Sequence, residues 1–230
     1  GRDVAARLLY GGRSTLIIGT SAGLLCVLLS LLIGIFAGYR RGWLDSVLSR
    51  LLDIIWAFPV YLLAISLSVV LLTSGLSFGF IHFGPGSFAL PIFIIGIVYI
   101  PYVARPIRAQ VLALREREFV RAAIGTGAKH STIVFREIFP NVMPSVIVFI
   151  PIIVSLSMLT ESALSFLSIG VQPPAASWGT IINDGLALLY TRPFVGIAPG
   201  LMIVLTAAAL NLYGDAVRDA MDPKSRGRAE

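Results

Sequence analysis

The sequence is short of charge, cysteine and histidine. Of its 230 residues only 13% are Asp, Glu, Lys or Arg, against about a quarter in an average soluble domain. A soluble fold of this length cannot cover its surface with so few charges, so that class is excluded. A single cysteine, Cys26, set inside an apolar run, excludes a disulfide framework and a cysteine metal cluster. The two histidines, His82 and His130, lie far apart and lack the H-x-x-x-H spacing of a helical metal pair. What fills the chain is apolar: 57% hydrophobic residues and a mean hydropathy of +0.88. The runs 15–38, 54–104, 138–160 and 193–214 carry no Asp, Glu, Lys or Arg. A bilayer core about 30 Å thick needs about 20 apolar residues of helix. These runs predict an all-α polytopic membrane protein.

Five spans are expected, over about 15–38, 54–74, 87–104, 138–160 and 194–214. Residues 1–13 read as an external or interfacial segment, 14–217 as the transmembrane domain and 218–230 as a tail. The 73–86 stretch reads as turns. The outer segment 162–193 is apolar but broken by Gly170, Pro173 and Pro174; beyond it Ser177 is the expected N-cap of an interfacial helix over 178–190. The chain opens on Gly1 with no signal-like leader, so an upstream segment is expected to be missing.

Five spans put the two ends on opposite sides, and the basic residues choose the orientation. One side collects 14 of the 18 Lys and Arg residues, in 39–53, in 105–137 and after 214. That side is expected to be cytoplasmic, with the C-terminus. The net charge of +6 then reads as orientation bias and not as a nucleic-acid footprint.

Residues 105–139 are the most informative loop. Phe119, Ala122, Ala123 and Thr126 share a helical face, Gly125 and Gly127 stop that helix, and a second short helix is expected over 131–139 before Pro140 opens the next span. Spacing alone leaves two readings open, a docking element and a basic loop that only satisfies the orientation rule. Gly125 to Ser131 lacks the G-x-x-x-x-G-K-[ST] pattern of a phosphate loop and follows a helix. No nucleophile–base pair stands out, so an enzyme is not expected. Glu161, at the outer end of the fourth span, reads as a structural or gating residue in preference to a substrate contact. Asp53 and Asp215 read as solvated or ion-paired anchors for Arg50 and Arg218.

Arg121-Ala122-Ala123, Gly127 and Ile138-Phe139-Pro140 resemble the EAA signature of permease subunits in bacterial ATP-binding-cassette importers. Gly1-Arg2-Asp3-Val4, Ala57-Phe58-Pro59, Arg115-Glu116-Arg117-Glu118-Phe119, Leu164-Ser165-Phe166-Leu167, Gly170-Val171-Gln172-Pro173-Pro174 and Ser177-Trp178-Gly179 narrow the resemblance. With Arg218-Asp219-Ala220-Met221-Asp222-Pro223 they point to the C-type permease of the dipeptide/oligopeptide/nickel branch. The resemblance implies a type I importer fold with a cytoplasmic coupling helix, and assigns ATPase coupling to Phe119, Arg121, Ala122, Ala123, Gly127, Phe135, Ile138 and Pro140. It further implies a homologous permease as heterodimer partner, two ATPase subunits that hold ATP and Mg, an extracytoplasmic binding protein, and no cofactor in this chain. Peptides are the expected cargo, with nickel as the alternative within the family and a self-contained secondary transporter or channel as the alternative outside it. Three positions depart from the signature. Arg121 stands where glutamate is usual and Phe139 where leucine is usual. Lys129-His130 replaces a common Ser-Asp, which moves the expected helix cap to Ser131.

Overall fold

A computed structural model describes residues 3–78, 81–84 and 86–221. Gly1-Arg2 of the opening motif and the tail from Asp222 onward, with Lys224, Arg226 and Arg228, lie outside the described residues. Helix α1 spans Val4–Arg40, about 55 Å at 1.5 Å per residue. It begins eleven residues before the expected span, because Asp3 caps it by accepting from the N–H groups of Ala5 and Ala6 at 2.9 and 3.3 Å. Arg41 (φ 53°) and Gly42 (φ 73°) then reverse the chain into α2, Trp43–Trp56.

The second apolar run does not form one straight helix. Pro59 has no N–H to donate and keeps its predecessor out of the helical region. Helix α2 therefore ends at Trp56, and α3, Val60–Ser74, leaves at 91° to it. A hairpin follows where turns were expected, β1 Leu76–Phe78 with β2 Ile81–Phe83, antiparallel and pairing Leu76 with Phe83. Helices α4, Ala89–Val98, and α5, Ile100–Arg115, form a second bent pair at 44°, broken next to Pro101. The helical run thus reaches eleven residues past the expected end of the third span.

Helix α6, Glu118–Gly125, is short and separate from the helix that follows it. The second short helix expected over 131–139 is not separate. Helix α7, His130–Thr132, passes through a π-turn, Ile133–Ile138, into α8, Phe139–Phe166, as one 37-residue rod. Pro140 lacks a donor and crowds the carbonyl of residue 136, so the turn before it widens. Helix α9, Trp178–Leu186, is four residues shorter than expected, and α10, Phe194–Met221, closes the described chain. By length and composition three helices can cross a membrane, or five elements if each bent pair is one span.

Helix α1 is the axis of the bundle, packed against α4, α5 and α8. Glycine makes this contact close. A Cβ at Gly23 would sit 2.7 Å from Val154 Cγ2, and one at Gly34 would sit 2.6 Å from Ile107 Cγ2. Between lipid-embedded helices attraction is mostly van der Waals packing, and small residues let the backbones approach. Around this seam Ile18, Cys26, Ile95, Val103, Ile107, Val111 and Ile153 form the buried core. Helix α10 contributes little to it and leaves Leu201, Val204, Leu205 and Leu212 more than half exposed.

Candidate functional site

The basic segment divides into a structural part and an exposed part. Arg105 and Arg108 are helical and knit α5 to α2. Arg108 donates Nε and Nη2 to the two carboxylate oxygens of Asp45 at 2.6 and 2.7 Å. Arg105 pairs with Asp53 at 2.5 Å and lies 4.7 Å over the Trp56 ring. Asp53 is therefore an ion-paired anchor, with Arg105 in the place expected of Arg50.

Beyond Arg115 the chain leaves the bundle and α6 is pinned at both ends. Val120, fully buried, roots the helix in the core beside Ile133 and Ile138. The C-terminal end closes in a Schellman motif: Gly127 N–H bonds the Ile124 carbonyl at 3.0 Å and Ala128 N–H bonds the Ala123 carbonyl at 3.1 Å. Gly127 holds φ 78°, a left-handed conformation that favours glycine. At the other end Glu116 accepts Arg121 on Oε2 and Arg41 on Oε1, both at 2.8 Å. Arg121 first, and then Arg41, hold the Glu116 carboxyl below the usual carboxylate range.

Of the residues assigned to coupling, Phe119, Arg121, Ala122, Gly127, Phe135 and Pro140 are exposed, with Phe135 at 71%. Ala123 is half-buried. Ile138 is fully buried and shapes the segment from inside. Ile124, half exposed, adds an apolar side chain to α6 that the sequence reading did not single out. An open cleft of about 520 Å³ lies beside the helix, between Leu114, Phe119 and Asn141.

Two further contacts tie this segment to the bundle. Tyr39, buried near the end of α1, has its hydroxyl 2.7 Å from His130 Nδ1. Gln110 Nε2 donates to the Asn141 carbonyl at 3.1 Å, joining α5 to the first turn of α8. The expected shift of the helix cap to Ser131 does not occur. Lys129 is the N-cap, in extended conformation and without a side-chain cap bond, while His130 is engaged by Tyr39. Neither contact has a local sequence signature, since partners so far apart meet only on folding.

At the opposite end of α8, Glu161 is fully buried within the helix, five residues short of its end. Ser165 Oγ donates to Oε1 at 2.7 Å and Ser162 Oγ to Oε2 at 3.3 Å. The hydroxyls of Thr15 and Ser177 also face it. Three of these hydroxyls pass the interaction on to backbone. Ser165 accepts from Val171 N–H at 3.0 Å, Ser177 from Thr180 N–H at 3.3 Å, and Thr15 from Trp178 N–H at 3.1 Å. One carboxylate thus joins α1, α8, the 167–177 segment and the start of α9. Ser177 is the N-cap of α9, as its position predicts, in a capping box with Thr180. The apolar face of α9 turns inward, with Trp178 and Ile181 buried, because Gly179 lets the helix sit against the Ser162 carbonyl. Among the described residues no group of three or more His, Cys, Asp and Glu stands together as a metal cradle.

Comparison with known proteins places this architecture. The model of the binding-protein-dependent transport system inner membrane component family matches residues 30–227. The glutathione transport system permease protein GsiD of Pectobacterium atrosepticum is 37% identical over 224 residues, 97% of this chain and 70% of its own. The dipeptide transport system permease protein DppC of Alkalihalophilus pseudofirmus is 35% identical over 226 residues, 98% of this chain and 70% of its own. An inward-facing structure of the MetNI methionine ABC transporter superposes with a TM-score of 0.71 at 18% identity, covering 94% of this chain and 96% of that one. At that identity the likeness speaks for the fold.

Proposed function

The chain belongs to the family of binding-protein-dependent transport system inner membrane components and is a permease subunit of an ATP-driven importer; from that premise we propose that it carries peptides and is driven through the segment 115–139. The relatives named for glutathione and dipeptide transport support a peptide cargo. A homologous permease completes the translocation path, two ATPase subunits bind and hydrolyse ATP, and a binding protein delivers cargo from outside. The C-terminus and α6 lie on the cytoplasmic side, where the basic residues gather.

One observation carries the mechanism: the exposed helix α6 is coupled to a rod that crosses the whole protein. Exposed Phe119, Ala122 and Ile124 offer a small apolar face to an ATPase groove. Gly127 closes that helix, and three residues later His130 begins the continuous 37-residue run that ends at Phe166 beside the Glu161 hub. Displacement of α6 by ATP-driven closure of the ATPases therefore acts on the end of α8. The rod transmits it to the packing of α1 and α9 at the far side, which alternates access. ATP shifts this equilibrium because the ATPases bind it unequally in their open and closed arrangements.

The test is Gly127→Val in the assembled transporter. A β-branched residue is strained at φ 78°, while nothing lies within 4 Å of its Cβ to clash. ATP-dependent peptide uptake should fall several-fold while the permease remains in the complex. Uptake at the wild-type rate refutes the lever.

A further inference from the structure

At the end of α1 remote from the coupling segment, an open cavity of about 890 Å³ lies between α1, the 173–176 segment and α9. Its volume is within the range of small-molecule pockets, roughly 300–1,000 Å³. Three ionised side chains line it, Arg7, Arg13 and Asp184, in a chain whose apolar spans are almost free of charge. Arg7 Nη2 meets Asp184 Oδ2 at 2.7 Å, so these two largely neutralise each other. Arg13 lies almost two turns further along the same helix and is exposed. Among the described residues it stands in no ion pair. The cavity therefore carries an uncompensated positive charge. The rest of the wall combines apolar Ile17, Phe88 and Pro174 with the hydroxyl-bearing Tyr10, Ser14 and Thr180.

We propose that this cavity is a subsite for the C-terminal carboxylate of a peptide, recognised by Arg13. The guanidinium presents a planar fork of donors that matches a carboxylate bidentately. Arg7 occupies only one oxygen of Asp184, and the half-exposed carboxylate keeps its other oxygen for the peptide's ammonium group. The Arg13 guanidinium, a free carboxylate oxygen and apolar surface within one cavity suit a zwitterion that carries an apolar side chain. The inference rests on the permease reading above and adds a contact by which the permease itself holds cargo.

The experiment uses the permease assembled with its partner permease and ATPases in nanodiscs of neutral phosphatidylcholine, without binding protein. Equilibrium dialysis measures binding of radiolabelled Gly-Leu and of its C-terminal amide, Gly-Leu-NH2. Gly-Leu should bind saturably, and Arg13→Gln should weaken it about tenfold or more. Amidation should weaken wild-type binding to a similar degree and have little further effect on R13Q. Arg13→Lys should restore part of the loss, and Arg192→Gln, outside the cavity, should change nothing. The same complex, supplied with binding protein and ATP, is scored for uptake. Uptake by wild type with equal Gly-Leu binding by R13Q overturns the subsite and leaves the permease reading standing. Equal discrimination against the amide by wild type and R13Q also overturns it. Loss of binding-protein-stimulated ATPase activity in R13Q, with Gly-Leu binding intact, assigns the arginine to protein docking and overturns it as well. Absence of uptake by wild type with any peptide removes the permease reading and this inference with it.

Discussion

Arg121 Nη2 lies 2.8 Å from Glu116 Oε2, fastening the exposed helix to the turn that precedes it. The other oxygen of Glu116 takes Arg41, so the clamp also reaches the junction of α1 and α2. Both arginines depress the Glu116 pKa. A group of this kind contributes its contact above the unfolded pKa and loses it as pH falls through the folded value. The clamp should be unchanged from neutral pH down to the ordinary carboxylate range and fail below it. A nitroxide at Ala122 reads this: its mobility should be flat near neutrality, rise in acid, and be high at neutral pH in Glu116→Gln. Equal mobility in E116Q and wild type at neutral pH removes the clamp.

Glu161 collects hydroxyls from α1, α8 and the cap of α9, and nothing apolar of its size replaces that role. Glu161→Leu leaves the hydroxyls of Ser162 and Ser165 without their acceptor, at about 1–3 kcal/mol for each group that finds no other. Some will rotate to new partners, so a net loss of about 2–5 kcal/mol is expected. Glu161→Gln keeps one acceptor oxygen and should lose about 1–2 kcal/mol. Denaturant unfolding followed by tryptophan fluorescence measures both, since Trp178 N–H is bonded to Thr15. A leucine variant as stable as wild type would show that the hub is dispensable.

Gly23 and Gly200 form a contrasting pair within membrane helices. A Cβ at Gly23 would come within 3.0 Å of the Val154 Cα, and backbone there cannot yield without parting α1 from α8. Gly23→Leu should lower stability by about 1–3 kcal/mol. At Gly200 nothing lies within 4 Å, so Gly200→Ala should be neutral or gain up to about 1 kcal/mol of helix propensity. Thermal unfolding in detergent ranks the two, and an equal effect of both substitutions contradicts the packing seam.

Cys26 has no exposed surface, which makes the wild-type chain silent toward thiol reagents and suits it to mapping orientation. Tyr190→Cys, at a fully exposed position between α9 and α10, should react with an impermeant maleimide in intact cells. Phe135→Cys should react only after permeabilisation. The reverse pattern inverts the orientation drawn from the basic residues.

Arg108 donates two hydrogen bonds to Asp45, and the two side chains are 31% and 15% exposed. Removing one partner strands the other charge, so each of Asp45→Asn and Arg108→Gln should lower stability by about 1–3 kcal/mol. The double variant should lose less than the sum of the two. Additive losses in a double-mutant cycle by thermal unfolding exclude direct coupling.

Much of the site was legible because its signals are local. Gly127 announced a helix end and Ser177 a helix start, since φ and capping chemistry depend on a few neighbouring residues. Phe119 and Ala122 were placed on the exposed helix by spacing alone. The fused second helix was not legible, because the expected break before Pro140 is absorbed by the π-turn over Ile133–Ile138. Nor was the inward face of α9, whose apolar stripe reads the same against lipid as against protein. The early end of α2 was implicit in Pro59, while the 91° turn of α3 depends on what the helices pack against.

Charge scarcity and the apolar runs by themselves determined that the chain crosses a membrane several times, because transfer of a helix into lipid depends on its own side chains. They also lead to the expectation that most of the basic residues share one side. Tertiary structure alone decided what those charges do. Arg105 and Arg108 hold α5 to α2, Arg121 clamps α6, and Arg13, in no ion pair among the described residues, lines a cavity. Arg105 and Asp53 are 52 residues apart and Trp178 and Thr15 are 163 apart. Such pairs have no signature within either segment, since their geometry exists only once close helix packing has brought the segments together.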